Sequence, residues 1–221
     1  MDKQYIAKNI NRFPLVDKEH KILELCAGKK VLNVGCVGQD QYYESDSWQH
    51  KKIAAAAEEI TGVDIQEDEI AKLRQMGYEV FMATELEQSS RTFDVILMSD
   101  VIEHVNNPHE FLEFYARFLN PDGIMLVSTP NAFYFARFLW ILIWKNYSVN
   151  EEHTLWYCPL TIAELVSRTS LEITDFYWCN EYFDIRKISF RYRWIYKLSR
   201  FFARSRRNFS PNFMLELSLK K

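Results

Sequence analysis

The chain has 221 residues and a net charge of −3, with 48% hydrophobic and 26% charged residues. These values suit one α/β domain with a sizeable core and leave no overall electrostatic footprint for nucleic acid. The opening Met1-Asp2-Lys3-Gln4-Tyr5 has no apolar signal core. The longest apolar stretch, 132–144, is interrupted by Arg137 and closed by Lys145-Asn146, short of the roughly 20 residues a membrane span needs. Cys26, Cys36, Cys158 and Cys179 include no C-x-x-C pair and read as reduced thiols of a cytoplasmic protein.

In chain order, Val31-Leu32-Asn33-Val34 reads as a buried strand that turns at Gly35. The alanine-rich stretch 51–59 predicts a helix capped by Asp46 or Ser47. Residues 60–65 form a second strand that ends in an acid, Asp64, and 67–76 a helix stopped by Gly77. A short third strand covers 79–82, and the apolar 93–98 makes a central fourth strand. A helix over 108–118 leads through the turn residues Asn120-Pro121-Asp122-Gly123 to a fifth strand, 124–127, stopped by Thr129-Pro130. An aromatic insertion spans 131–157. A helix over 161–169, capped by Thr161 with Glu164 three positions on, precedes two late strands, 171–178 and 212–219. Such alternation implies a mostly parallel sheet with helices on both faces.

In sheets of this kind ligands sit beyond the carboxyl ends of the strands. Gly35, Asp64 and the group Asp100, Glu103, His104 follow the first, second and fourth strands. The loop Gly35-Cys36-Val37-Gly38-Gln39 lets backbone approach a ligand closely, although a glycine here also serves packing alone. Asp64 can accept hydrogen bonds from ribose hydroxyls, or be an ordinary solvated acid.

The run Phe93-Asp94-Val95-Ile96-Leu97-Met98-Ser99-Asp100-Val101-Ile102-Glu103-His104-Val105 is more specific. It leads to Leu119-Asn120-Pro121-Asp122-Gly123 and to a strand ending Thr129-Pro130-Asn131. With these motifs the chain resembles class I S-adenosylmethionine-dependent methyltransferases of the ubiquinone-biosynthesis-like subgroup, over roughly residues 28–178. The resemblance implies a Rossmann-like three-layer αβα sandwich over 1–221, with a mostly parallel seven-stranded sheet whose last strand is antiparallel. It implies S-adenosylmethionine as cofactor and methyl transfer, at oxygen, to a small-molecule or glycan-type acceptor. Asn33, Gly35, Cys36 and Val37 would face the methionine part of the cofactor. Asp64 and Ile65 would hold the ribose, Thr84, Glu85 and Leu86 would lie near the adenine, and Ser99 and Asp100 would line the pocket. Glu103 and His104 would sit behind, towards the acceptor. The chain departs from the family pattern at Asn33 and Ala83, where an acid is usual, and at Val37 and Gln39, where glycines are usual.

His104, His153 and Glu103 are the candidate catalytic groups, since imidazole titrates near neutrality and can take a proton from an acceptor hydroxyl. The other reading is that they brace the loop. No metal site is assigned, although Asp100, Glu103 and His104 would form a permissible set. Two alternatives to catalysis by methyl transfer stand beside it. One is a non-catalytic relative with a degenerate glycine loop. The other is a dinucleotide-dependent oxidoreductase or epimerase, which would want G-x-G-x-x-G; here Asp64 lies 29 positions beyond Gly35 and no Tyr-x-x-x-Lys pair exists.

Residues 186–207 carry nine Lys or Arg and no acid, interleaved with aromatics. Such a stretch can rest transiently on an anionic membrane surface or be a solvated basic helix. Nucleic acid is not an expected partner, and oligomeric state is open.

Overall fold

The computed structural model describes residues 1–38, 43–145, 150–180 and 189–221. Gln39 of the glycine loop, 146–149 of the aromatic insertion, and Arg186 and Lys187 of the basic stretch lie outside the described residues.

Among the described residues, the strands are β1 (Leu15–Asp17), β2 (Lys30–Val34), β3 (Glu59–Asp64), β4 (Val80–Met82), β5 (Phe93–Ser99), β6 (Leu119–Pro130), β7 (Leu171–Asn180) and β8 (Asn212–Leu219). The helices are α1 (Lys3–Asn9), α2 (Lys18–Cys26), α3 (Gln49–Ala56), α4 (Glu67–Gln75), α5 (Ala83–Glu87), α6 (Pro108–Ala116), α7 (Phe135–Trp144), α8 (Pro159–Ser167) and α9 (Phe190–Ser205). The strands form one sheet in the order β1-β7-β8-β6-β5-β2-β3-β4. Only β8 runs antiparallel, against both β6 and β7. The expected architecture therefore holds, with β1 as a further edge strand paired in parallel with β7.

The two-residue period of the strands sorts side chains between the layers. On one face Leu32, Val34, Ile96 and Met98 pack with Ile6 of α1, Leu86 of α5, Leu112 of α6 and Ile162 of α8. On the other, Val31, Val95 and Leu97 pack with Ile22 of α2 and Ile53 of α3. A third cluster joins Ile70 and Leu73 of α4 to Cys36, Val37 and Trp48, and so fixes the loop that leaves β2.

Three local expectations need correction. Helix α3 begins at Gln49 after Trp48, which makes no side-chain cap bond, rather than after Asp46 or Ser47. The Trp48 indole N–H instead donates to the Cys36 carbonyl at 2.9 Å, and Asp46 pairs with Lys51. Helix α8 starts at Pro159, with Cys158 at its N-cap. Thr161 sits inside its first turn and accepts from the Cys158 N–H at 3.0 Å. Residues 120–123 lie within β6 as an irregularity, because pairing passes from Phe93↔Leu119 to Val95↔Ile124. Gly123 answers close approach rather than turn geometry: an added Cβ would lie 3.0 Å from the carbonyls of both Phe93 and Asp94.

Candidate functional site

β5, β2 and β3 are neighbours and run parallel, so the loops leaving their carboxyl ends lie side by side. Gly35 ends β2 with φ of 75°, and a Cβ there would lie 2.7 Å from a methyl of Val101, in the loop after β5. Only glycine meets both demands. The Gly35 and Cys36 N–H groups donate to the Val63 carbonyl at 2.8 and 3.2 Å. The next N–H, of Val37, donates to Asp64 Oδ2 at 2.9 Å, while those of Ile65 and Gln66 donate to Oδ1 at 2.8 and 3.3 Å. One buried carboxylate thus holds the loops after β2 and β3 together. Beside it Gly38, at φ of 67°, has open space where a Cβ would be. Ile65 projects an exposed apolar side chain at the end of β3.

Asn33 is buried, and its amide donates to His50 Nδ1 at 3.1 Å. Burial pulls the His50 pKa down to about 4, so the ring is neutral. The position usual for an acid is here filled by an uncharged amide–imidazole pair. Burial also pushes the Cys36 thiol up to about 12, which keeps it protonated. Further along the edge, Thr84 is exposed, Leu86 belongs to the core, and Glu85 is engaged by Arg74 at 2.5 Å and by the Met82 N–H at 2.7 Å. Arg74 holds the Glu85 carboxyl below its ordinary range.

At the end of β5, Asp100 adopts φ of 55°, a left-handed conformation uncommon outside glycine. Its N–H donates to the Ser128 carbonyl at 3.1 Å, and the Ser128 hydroxyl lies 3.1 Å from Asp100 Oδ1 and 3.3 Å from the Ser99 hydroxyl. Lys18, at the start of α2, forms an ion pair with Asp100. Sequence reading gave no hint of Lys18, because 82 positions separate the partners and only the sheet brings them together.

A short 3-10 turn, Ile102–His104, then carries Glu103 inward to 1% exposure. Glu103 Oε2 accepts from the Thr129 hydroxyl at 3.0 Å. Its Oε1 is buried with no hydrogen-bond partner among the described residues and lies 4.0 Å from His153 Nε2. Burial, and then the charge of Asp100, raise the Glu103 pKa to about 7. Burial, and then His104, lower that of His153. Both shifts favour the neutral forms, so this contact is not a fixed ion pair. The His104 and His153 rings meet edge to face at 4.7 Å, and His104 Nδ1 donates to the Glu152 carbonyl at 3.2 Å. One ligand atom each from Glu103, His104 and His153 lie within 4.8 Å of one another. That set could hold a divalent cation.

The insertion after β6 closes over this cluster. The Thr154 and Leu155 N–H groups donate to the Glu103 carbonyl at 3.0 and 3.1 Å, and Ala132 N–H to the Tyr157 carbonyl at 2.9 Å. Arg137 reaches the Asn131 carbonyl at 2.9 Å and stacks 4.3 Å from the centre of the Trp156 ring, which neighbours His153. The Tyr157 hydroxyl is buried without a partner among the described residues, and burial raises its pKa to about 12. The structure therefore gathers Asn33, Gly35, Cys36, Val37, Asp64 and Ile65 at one place, and Ser99, Asp100, Glu103, His104 and His153 at the adjoining one. Tyr157 and His50 joined these groups without a sequence signal of their own, while Thr129, noted only in the motif that ends its strand, supplies the hydrogen bond to Glu103.

A match to the family described as Methyltransferase domain covers residues 2–175. The chain belongs to that family, as an S-adenosylmethionine-dependent methyltransferase domain. It is 30% identical over 149 residues to the ubiquinone biosynthesis O-methyltransferase of Agrobacterium fabrum, a match covering 64% of this chain and 54% of that protein. The chain thus spans about half the length of the curated relatives it matches. The fold is that of a S-adenosylmethionine-dependent methyltransferase from Archaeoglobus fulgidus, with TM-score 0.53, 18% identity and coverage of 99% and 100% of the two chains. It is likewise that of the N-methyltransferase NodS from Bradyrhizobium japonicum, solved with S-adenosyl-L-homocysteine, with TM-score 0.50, 13% identity and coverage of 92% and 86%. S-adenosylmethionine is the cofactor. The open backbone at Gly38 and the polar strand ends at Asp64 and Asp100 fit it.

Proposed function

We propose that the protein, working in the cytoplasm, transfers the methyl group of S-adenosylmethionine to an oxygen of a small-molecule or glycan-type acceptor. The observation that carries this reading is the buried Glu103, with one oxygen unpartnered and its pKa raised to about 7, facing His153. The printed name of the Agrobacterium fabrum relative, an O-methyltransferase, supports an oxygen acceptor.

When bound, the cofactor supplies a methyl already activated on a sulfonium. In this reading Asn33, Gly35, Cys36 and Val37 face its methionine part, Asp64 and Ile65 its ribose, and Thr84 and Glu85 its adenine end, above the core residue Leu86. Ser99 and Asp100 line the pocket, with Lys18 balancing the Asp100 charge. The acceptor hydroxyl gives its proton to Glu103 Oε1 or to His153 as the new bond forms. His104, donating through Nδ1, keeps Nε2 as an acceptor and orients His153. The insertion, 131–157, forms the acceptor-side wall and excludes water.

The same cluster favours a second reading. A divalent cation held by Glu103, His104 and His153 would lower the acceptor's pKa and replace the base.

Calorimetry with S-adenosylmethionine and with NAD tests the cofactor assignment. Binding of the first and not the second is expected. Asp64→Ala should weaken that binding by about 1.5–3 kcal/mol, the range for hydrogen bonds to a charged group. An unchanged dissociation constant removes Asp64 from the site. Methyl transfer to phenolic and sugar hydroxyls with a chelator present separates the two readings of the cluster. Retained turnover supports the proton relay, and loss restored by added divalent ion supports the cation.

A further inference from the structure

We propose that α7 and α9 form one docking face for an anionic lipid bilayer, which the protein visits as a peripheral partner. The inner side of α9 is Ile195, Ser199 and Ala203, all buried. At 100° per residue, the opposite side carries Phe190, Trp194 and Phe201, and all three are exposed, Phe190 at 81% and Phe201 at 67%. Ring contacts join the helices: Phe135 to Phe202 at 4.5 Å, Trp140 to Tyr192 at 4.9 Å and Trp144 to Tyr192 at 5.3 Å. α7, packed against α9 by these contacts, adds exposed Phe138, Ile141 and Leu142.

Charge chooses the partner. Lys197 and Arg204 stand on α9 beside its apolar file, with Arg206 just after it, and all three are exposed. No acid occurs in α7 or α9, nor anywhere between Asp184 and Glu216. A helix that was merely solvated would have no use for outward Phe190, Trp194 and Phe201. A nucleic-acid backbone would pair with the cations and leave Ile141 and Leu142 in water. A bilayer surface takes both, since headgroups meet the cations while aromatic and aliphatic side chains enter the boundary with the acyl chains. No helix among the described residues is long and apolar enough to cross a membrane, so the contact is with the surface. Arg137 links α7 to Trp156, and docking would set the acceptor-side wall against the membrane. The face stands whether or not the catalytic reading does.

The test is co-sedimentation of the full chain with vesicles of phosphatidylcholine, with and without phosphatidylglycerol. Retention is expected only with phosphatidylglycerol. It should fall as salt rises from about 0.1 to about 1 M, where the screening length drops from ~10 to ~3 Å. Lys197→Gln, Arg204→Gln and Arg206→Gln together should weaken partitioning about 100-fold. Leu142→Ser with Phe201→Ser should weaken it independently of salt. All these side chains are exposed and outside the cofactor site, so calorimetry with S-adenosylmethionine verifies that each variant is folded. Equal retention on both vesicles, retention on neither, or unchanged binding of either variant overturns the proposal. Capture by polyuridylate RNA without vesicle retention overturns it too, and assigns the face to nucleic acid.

Discussion

At the carboxyl edge of β2, β3 and β5, Asp64 accepts three backbone N–H groups, and Asp100 is held by Ser128 and Lys18. On α7 and α9, by contrast, Phe138, Leu142, Phe190 and Phe201 stand more than half exposed. The first region satisfies its groups within the chain and presents a fixed shape to a small ligand, with little left to reorganise on binding. The second leaves large apolar side chains in solvent, the feature on which the proposed docking face rests. One fold carries both because the loops of a parallel sheet are anchored by the sheet itself, whereas an inserted helix is anchored only where it touches its neighbour.

The sharpest way to break that contrast is to cut a large side chain from each region. Ile96 is fully buried at the centre of the sheet. Ile96→Ala should cost about 2–5 kcal/mol, from lost transfer energy and the cavity left behind. Phe201→Ala should stay within about 0.5 kcal/mol, as surface substitutions do. Urea denaturation measures both. A Phe201→Ala penalty as large as that of Ile96→Ala would mean that α9 is packed into the core, and the two regions would not differ.

The same division governs what could be read from the sequence. The central strands were legible because Val31-Leu32-Asn33-Val34 and 93–98 are apolar runs ending in glycine or polar residues, a local signal. The N-terminal α1, β1 and α2 were not. Their order rests on distant partners: the Trp178 indole N–H donates to the Ile10 carbonyl at 2.7 Å, and β1 pairs with β7. Gly35, Asp64 and Glu103 were legible as candidates because ligands in this architecture sit beyond strand ends, and the structure brings the three to adjoining loops. The role of Glu103 was legible only in part. Its burial, its bond from Thr129 and its approach to His153 join positions 26 and 50 residues away, and no spacing rule predicts that.

Glu103 also offers the second test, since one of its two oxygens has no hydrogen-bond partner among the described residues. Its folded pKa of about 7 lies above the ordinary 4.5, so the folded state holds the proton more tightly than the unfolded chain. Its contribution to stability is therefore fully present below about pH 4.5 and is lost as pH rises through about 7. The loss amounts to up to about 3 kcal/mol. Glu103→Gln, neutral at every pH, should lack that slope. Subtracting the variant's urea stability from that of the wild type across pH 4 to 8 isolates this group from the others. For turnover, a base at Glu103 requires a rising limb near pH 7 that disappears in Glu103→Gln. Parallel stability curves for the two proteins would mean that the folded state does not raise the Glu103 pKa, leaving a carboxylate too weakly basic for the relay and His153 as its remaining acceptor.

The smallest expected effect lies at the boundary of the two regions. The insertion is pinned at its ends, where Ala132 N–H meets the Tyr157 carbonyl and the Thr154 and Leu155 N–H groups meet the Glu103 carbonyl. Between those points α7 is held mainly by ring contacts to α9 and to Phe209, just after it. Local opening costs least where few apolar groups are buried. Hydrogen exchange should therefore find the amides of Thr154 and Leu155 nearly as slow as those of β5, and those of α7 faster by about tenfold or more, a difference of about 1.4 kcal/mol. Vesicles containing phosphatidylglycerol should slow α7 and α9 while leaving β5 unchanged, because only the helical pair gains a partner. If α7 in the free protein exchanged as slowly as β5, it would already be closed down as part of the scaffold. Neither a movable acceptor wall nor a face waiting for a membrane would then be needed to account for its exposed side chains.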